Sequence, residues 1–508
     1  MKHDVIVIGA GIGGLSCAAF LANSGRQVLV LEKSPHVGGT SHIFWRRGFG
    51  FPMGPLSFGF PERVRGFLDD AGVNVPIEFK RNHFALSEPG RDIVFSLPLF
   101  ELRRELCRRV PEEQAGISGF FAELEESVSL SKDVDKWHPD YRFGSVPQSE
   151  AAVSGGAPGR LARARELALT PCLGRLRRHL RDERLIRLLG SQGMSEPEMS
   201  MLSLGFMWNV MSEAGIWFPS CGIHGLNDLL ADRVAAEGGD IKLSAPVQNI
   251  LVRKGRAAGV RTVEGAEYEA RWVVSNADAK TTLLGLVEPG TLPEDFRCTV
   301  AATPYTGSEL RVYLGVDPRR VDLGRMRAAR VGFRALEPET GIGPAGPEDF
   351  GAREIDVCLW SDNAPALVPE GKASIILGAG FSYDHFARFR TGPKTRTGDY
   401  AGYKKRLAEK LIEAAGNLLP GLGSAVDVMD AATPLTYEDW GHRHRGAIAG
   451  WTWSSDYGEA LGKKLLIETP VPHLLLAGIF AAADLFLGGV PTSMHTARLA
   501  ADRILGKI

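Results

Sequence analysis

The sequence predicts an α/β fold of two lobes, one of them a Rossmann-type dinucleotide-binding unit. Three observations carry this. A short apolar run, Asp4-Val-Ile-Val-Ile8, leads directly into Gly9-Ala-Gly11-Ile-Gly-Gly14. A helical pattern and a second apolar run ending in Glu32 follow. The chain has 508 residues, more than one hydrophobic core ordinarily accommodates.

Residues 4–8 lack polar alternation, the pattern of a parallel strand covered on both faces. In the turn after it, Gly9 permits the tight bend, Gly11 lets a pyrophosphate reach the backbone, and Gly14 lets the next helix pack closely on the strand. Leu15, Ala18, Ala19 and Ala22 recur at helical spacing, and Gly25 suits the left-handed cap that ends a helix. The pyrophosphate then meets a helix N-terminus, whose unpaired N–H groups favour anions. The second strand, residues 27–32, ends in an acid that accepts from a ribose 2′-hydroxyl and repels a 2′-phosphate, so NADP is disfavoured. A control lies in the same chain. Gly341-Ile-Gly343-Pro-Ala-Gly346 repeats the glycine spacing among Pro338, Pro344 and Pro347 with no apolar strand before it, and reads as a loop. Beyond Glu32, the pair Gly38–Gly39 marks a second place where backbone must come close to a partner. Near the other end, Leu474-Leu475-Leu476 reads as a buried strand, Gly478 as its end, and Gly488-Gly489-Val490-Pro491 as the opening of a last helix.

The remaining signals bound the function. A net charge of −1 offers no field for nucleic acid. Cys17, Cys107, Cys172, Cys221, Cys298 and Cys358 lie far apart with no Cys-x-x-Cys, against zinc, iron–sulfur and disulfide frameworks and in favour of a reducing cytoplasm. His442 and His444 lack accompanying ligands, so no metal is assigned. The N-terminal apolar run imitates a secretory signal, but its glycines and Glu32 form one fingerprint. The stretch around residues 473–494 is interrupted by Asp484, Gly488–Gly489 and Pro491, so no transmembrane helix is expected. Residues 160–187 are rich in arginine, with Pro171 dividing them into two helices. In the second, Leu173, Leu176 and Leu180 share a face, a pattern of an ordinary amphipathic helix that is also compatible with peripheral contact with a membrane surface. No Ser-His-Asp or Cys-His set presents itself, and no catalytic acid or base is named.

The segment 9–39 resembles the FAD fingerprint of the glutathione-reductase-type flavoproteins, and within them the phytoene dehydrogenase-like branch of carotenoid desaturases, carotenoid isomerases and retinol saturases. Residues 215–250, 270–278, 433–451 and 474–502 resemble later segments of that family, so the likeness covers most of the chain. It implies a discontinuous FAD-binding domain, residues 1–75, 215–290 and 466–508, with a mixed α+β substrate lobe from 76–214 and 291–465. FAD would be held by Gly9, Gly11, Gly14, Glu32, Lys33, Gly38, Gly39 and Thr40, with Val247 touching adenine through its backbone. Gly54, Pro55, Gly478, Gly489 and Val490 would lie by the flavin ring, where the positive end of the last helix stabilises the reduced ring's anionic edge.

The resemblance further implies oxidoreduction at carbon–carbon bonds of a lipophilic isoprenoid or polyene, a desaturation by hydride transfer to flavin N5 with quinone or oxygen as acceptor. Saturation and cis–trans isomerisation are the alternatives, and non-catalytic prenyl binding of the GDP-dissociation-inhibitor type is the alternative from another class. Trp440, Trp451, Trp453 and Phe480 fall in or near the late motifs as candidate walls of an apolar tunnel. Three departures stand out. Phe51-Pro52-Met53-Gly54-Pro55 lacks the family's usual acid, Cys221 replaces a glycine, and Thr496-Ala497-Arg498 replaces Ser-Gly-Arg. They leave the flavin site intact and put the usual reaction in doubt.

Overall fold

The computed structural model describes residues 3–88, 91–94, 97–137, 158–191, 199–334, 346–452, 467–481 and 489–507. Trp453, Asp484, Gly488 and the Gly341–Gly343 part of the second glycine motif lie outside these residues.

Strands from three distant segments meet in one sheet. Its parallel portion runs in the order Asp240–Lys242, Val28–Leu31, His3–Ile8, Glu267–Ser275, Leu474–Leu476. The first half of Glu267–Ser275 also pairs antiparallel with a hairpin, Val247–Arg253 and Arg256–Thr262. The fingerprint helix, Ile12–Asn23, lies between Gly222–Ala236 and the C-terminal helix Gly489–Leu505. Because it is covered on every side, residues Ile12 to Ala22 are all buried, which is why its sequence is apolar all round rather than striped. Gly25, at φ +78°, ends it as the sequence indicates.

A second sheet has the order Val426–Ala432, Ser308–Val316, Ala373–Phe381, Ile355–Leu359, Arg330–Phe333, Phe84–Glu88, Arg91–Val94. Leu310, Val312, Val331, Val357 and Leu377 point to one face and pack on the helix Tyr400–Gly416. The alternate residues, Glu309, Arg311, Tyr313, Arg330 and Asp356, point the other way, toward the first sheet and a helical cluster.

That cluster comprises Leu99–Arg109, Gln114–Trp137, Pro158–Leu169, Cys172–His179, Glu183–Ser191 and Met201–Trp208. The arginine-rich segment is thus divided among three helices where the sequence indicates two, because the chain breaks again after His179 as well as at Pro171. Leu176 and Leu180 are buried in the cluster core with Leu102, Phe120 and Leu124. Several arginines are paired with acids: Arg163 with Glu126 at 2.9 Å and Glu166 at 2.6 Å, Arg175 with Glu123 at 3.6 Å, and Arg177 with Glu183 at 3.4 Å. Among the described residues no helix is long and apolar enough to cross a membrane.

Among the described residues Gly14 is one of the most tightly enclosed glycines: an added methyl group would fall on the Gly9 carbonyl oxygen. We expect Gly14→Ala to cost about 1–3 kcal/mol of stability through overpacking. At Gly25 a methyl group meets open space, and only the left-handed backbone resists it, so Gly25→Ala should cost about 1–2 kcal/mol at most. Urea unfolding midpoints of the two variants should fall in that order.

Candidate functional site

The site forms where the parallel strands of the first sheet end, the position at which open α/β sheets bind their ligands. Asn276 follows the strand Glu267–Ser275, and its N–H donates to the Ile8 carbonyl at 2.8 Å. Its amide lies against the fingerprint turn. A methyl group at Gly11 would stand 2.9 Å from Asn276 Nδ2, and one at Gly13 would stand 2.6 Å from Oδ1 and 2.8 Å from the Gly478 Cα. Gly478, at φ +91°, closes the other side of the amide. Thr496 Oγ1 accepts from the Gly478 N–H at 2.9 Å, which ties the C-terminal helix to this turn. Thr496, which departs from the family pattern, therefore does its work here. Val490 is buried at the start of that helix and Gly489 is half-buried beside it.

Glu32 is buried, and its two oxygens accept from the N–H groups of Ala10 at 2.6 Å and Ser34 at 2.8 Å. These bonds fix the carboxylate beside the glycine turn while leaving lone pairs for a ribose. Lys33 is exposed next to it. The Gly38 N–H donates to the Ala10 carbonyl at 2.7 Å, and Gly38 bridges Gly11, so the second glycine pair comes directly against the first. Val247, half-buried, opens the hairpin and pairs with Thr262.

Thr40 sits under a buried layer. Arg443 Nη2 donates to its hydroxyl at 2.9 Å, and a methyl group at Gly54 would stand 2.6 Å from its carbonyl oxygen. Arg311 Nη1 reaches across from the second sheet and donates to the Gly54 carbonyl at 2.6 Å. The loop carrying Gly54 and Pro55 is thereby held between the two sheets.

Past Asn276, Asp278 is also buried. Its Oδ1 accepts from the Tyr305 hydroxyl at 3.2 Å and from the Thr281 N–H at 2.9 Å, and Oδ2 accepts from the His444 N–H at 3.1 Å. Burial first, and then Asp278, push the Tyr305 hydroxyl far above its ordinary range, so it keeps its proton. The Tyr305 ring lies 4.6 Å from Trp451 and 4.7 Å from Phe480, and Trp451 Nε1 donates to the Phe480 carbonyl at 2.8 Å. Two of the expected aromatic residues are thus together. Trp440 is not with them: it is 61% exposed, with the Lys394 ammonium 4.6 Å from its ring.

Asn276, Asp278, Tyr305 and Arg443 escape the sequence reading. Asn276 and Asp278 stand in the quoted strand segment, and two polar residues directly after an apolar parallel strand were the available signal. Tyr305 and Arg443 offer none, since their partners are far away in the chain.

The family model described as flavin containing amine oxidoreductase matches residues 12–505. An all-trans-retinol 13,14-reductase of Danio rerio is 25% identical over 99% of this chain and 86% of its own. A chloroplastic prolycopene isomerase of Arabidopsis thaliana is 25% identical over 95% of this chain and 79% of its own. A lycopene-forming phytoene desaturase of Pseudescherichia vulneris is 24% identical over 88% of each. The crystal structure of a putrescine oxidase bound to putrescine superposes with a TM-score of 0.65 at 15% identity, covering 100% of this chain and 99% of its own, a likeness of fold.

Four histidines stand near the Gly38 turn. His36 and His42 stack at 3.8 Å, and the side chains of His224 and His442 lie close by. Burial holds His42 and His442 down at about 4, helped by the neighbouring imidazoles and, for His442, by Lys33 and Lys394. The unfolded chain, with ordinary imidazoles near 6.5, then binds more protons than the folded one below that pH. Their stabilising contribution is present above about pH 6.5 and lost as pH falls toward 4. The urea midpoint should decline across this window, and His42→Phe, which keeps the stacking, should flatten the decline.

Proposed function

Since the chain belongs to the flavin containing amine oxidoreductase family and is an FAD-dependent oxidoreductase, we propose that it acts on carbon–carbon bonds of a lipophilic isoprenoid or polyene, with desaturation as the net reaction. The observation that carries this is the aromatic wall of Tyr305, Trp451 and Phe480, which stands at the same sheet end as the glycine cradle. A substrate held there meets apolar surface on one side and cofactor on the other.

The residues present fit FAD. Methyl groups at Gly11 and Gly13 would crowd Asn276, so the turn is kept bare, and Glu32 is buried with both oxygens oriented. Gly9, Gly11 and Gly14 would hold the pyrophosphate with the helix N-terminus, Glu32 a ribose, and Val247 and Lys33 the adenosine side. Gly38, Gly39 and Thr40 would follow the ribityl chain, and Gly54, Pro55, Gly478, Gly489 and Val490 would face the ring. When bound, the flavin supplies a two-electron acceptor or donor. The chain's own part is positional. Trp451 and Phe480 exclude water, and Asp278 fixes the Tyr305 hydroxyl with its proton in place beside them. Quinone or oxygen would take the electrons away.

Saturation and isomerisation remain in the reading because the named reductase and isomerase match the chain over 99% and 95% of its length. Contact with a membrane surface would give access to the lipid, and Arg165, Arg178 and Arg181 are exposed and could meet it.

Purified protein should carry one FAD. Gly11→Val should abolish its uptake, and Glu32→Ala should weaken it roughly tenfold to a hundredfold, the range for a hydrogen bond to a charged group. Far-ultraviolet dichroism would verify that both variants are folded. Incubation of the holoenzyme with lipid extracted from its host should yield a species two hydrogens lighter. A species two hydrogens heavier would establish saturation, an isobaric product isomerisation, and no change in any polyene would defeat the proposal.

A further inference from the structure

The turn 442–446 has an unusual backbone. His442, Arg445 and Gly446 have left-handed φ values of +55°, +52° and +64°, and two of these residues are not glycine. Such residues cost backbone energy and persist only where the surroundings fix them. Here the His444 N–H donates to Asp278 Oδ2 at 3.1 Å, Arg445 pairs with Asp384 at 2.5 Å, and the Ser308 hydroxyl donates to the Gly446 carbonyl at 2.7 Å. The turn so held carries Arg443 to Thr40.

The partners of Arg443 are all neutral. Nη2 donates to the Thr40 hydroxyl at 2.9 Å, and Nη1 donates to the carbonyls of Ala447 at 3.3 Å and of Ile448. Among the described residues Arg443 forms no ion pair. The carboxylates whose charge it feels are engaged elsewhere: Asp278 with Tyr305, Thr281 and His444, and Glu309 with Arg311 at 2.7 Å and the Tyr437 hydroxyl at 2.7 Å. Burial disfavours the guanidinium's charge by more than these acids favour it. The vicinity is otherwise positive. Lys33 and Lys394 both bear on the neighbouring His442, and Asp439, the acid that offsets them, is bound to Arg390 at 3.0 Å and to Arg396. A partly buried cation with only neutral partners is unfavourable unless an anion meets it, and a guanidinium retains donors after three bonds.

We propose that Arg443 supplies the counter-charge for the diphosphate of FAD. The proposal rests on the FAD reading given above. Thr40 directly follows Gly39, where a methyl group would stand 3.4 Å from the Gly11 Cα, and Gly11 is the fingerprint glycine that admits a diphosphate. Arg443 reaches this turn from 403 residues farther along the chain. The diphosphate matches a permanent cation because it is charged in both redox states. The flavin edge becomes anionic only on reduction, and an isoprenoid carries no charge. A planar guanidinium also fits phosphate oxygens in pairs.

Release of FAD from the holoenzyme, followed by the rise of flavin fluorescence after dilution, should be about tenfold to a hundredfold faster in Arg443→Gln, the range for a hydrogen bond to a charged group. Arg443→Lys, which keeps the charge and loses the fork, should fall between the two. The midpoint potential of the bound flavin should match the wild type, because the diphosphate keeps its charge when the ring is reduced. The urea midpoint of the FAD-free full chain should not fall in Arg443→Gln, since that variant removes an uncompensated cation. Unchanged FAD release would overturn the proposal. A lowered potential would overturn it by assigning the charge to the reduced ring, and an equal loss of stability with and without FAD would reduce Arg443 to a tie between segments. If Arg443→Gln does not fold, Arg443→Lys decides alone: release roughly twofold to tenfold faster than wild type, the worth of one hydrogen bond, is expected, and an equal rate overturns the proposal. Wild-type protein that holds no FAD would remove the underlying reading, whereas FAD held equally by wild type and variant removes only this role.

Discussion

The contact on which the rest of the structure depends is that of the Asn276 amide with bare backbone at Gly11, Gly13 and Gly478. It fixes the depth at which the fingerprint turn meets the strand from the middle of the chain and the turn before the C-terminal helix. Three segments separated by some hundreds of residues therefore end at the same level, which creates one edge where a dinucleotide can lie. Close approach of backbone requires glycine at each contact, and any side chain there would push the segments apart. The hydrogen bonds between Thr496 and Gly478 lock the last of the three into place.

A second constraint joins the lobes. The segment from Ile43 to Gly54, a hairpin of Ile43–Arg46 and Phe49–Pro52, is held by Arg311 of the second sheet on the Gly54 carbonyl, by Trp360 Nε1 on the Gly50 carbonyl at 3.2 Å, and by its own Arg46 donating to Asp430 of that sheet at 2.6 Å. Buried ion pairs such as Arg311–Glu309 gain little net stability after desolvation. What they provide is direction, since a guanidinium fork held at one end by a carboxylate presents its remaining donors in a set orientation. In this protein Arg311 donates to the Gly54 carbonyl, so a side chain of the second sheet positions a segment that lies against the first.

The arginine-rich segment shows how far local sequence carries. Its leucine face and basic face are legible in residues 160–187, and the helices form. The face packs into a helical core through Leu176 and Leu180, and the acids that meet Arg163 and Arg175 come from Gln114–Trp137. Periodicity identifies an apolar stripe but not what covers it, because the covering helix is remote in the chain. The aromatic residues divide in the same way. Trp440 and Trp451 are close in sequence and similar in type, yet one lies under a lysine at the surface and the other is buried against Tyr305.

Strand, glycine turn, helix, strand and terminal acid were readable without coordinates because each is local: a run of apolar residues, a spacing of glycines, a cap, a carboxylate at a strand end. The glycine turn, its helix and Glu32 are therefore written in the first 40 residues, and the last strand and helix in the pattern near the C-terminus. The neighbours of these elements are another matter. Asn276 between the glycines, Asp278 on Tyr305 and Arg443 on Thr40 all depend on which distant strands and helices become adjacent. Adjacency follows from burial of whole faces, a property summed over many residues, so no short stretch records it and only the packed chain decides it.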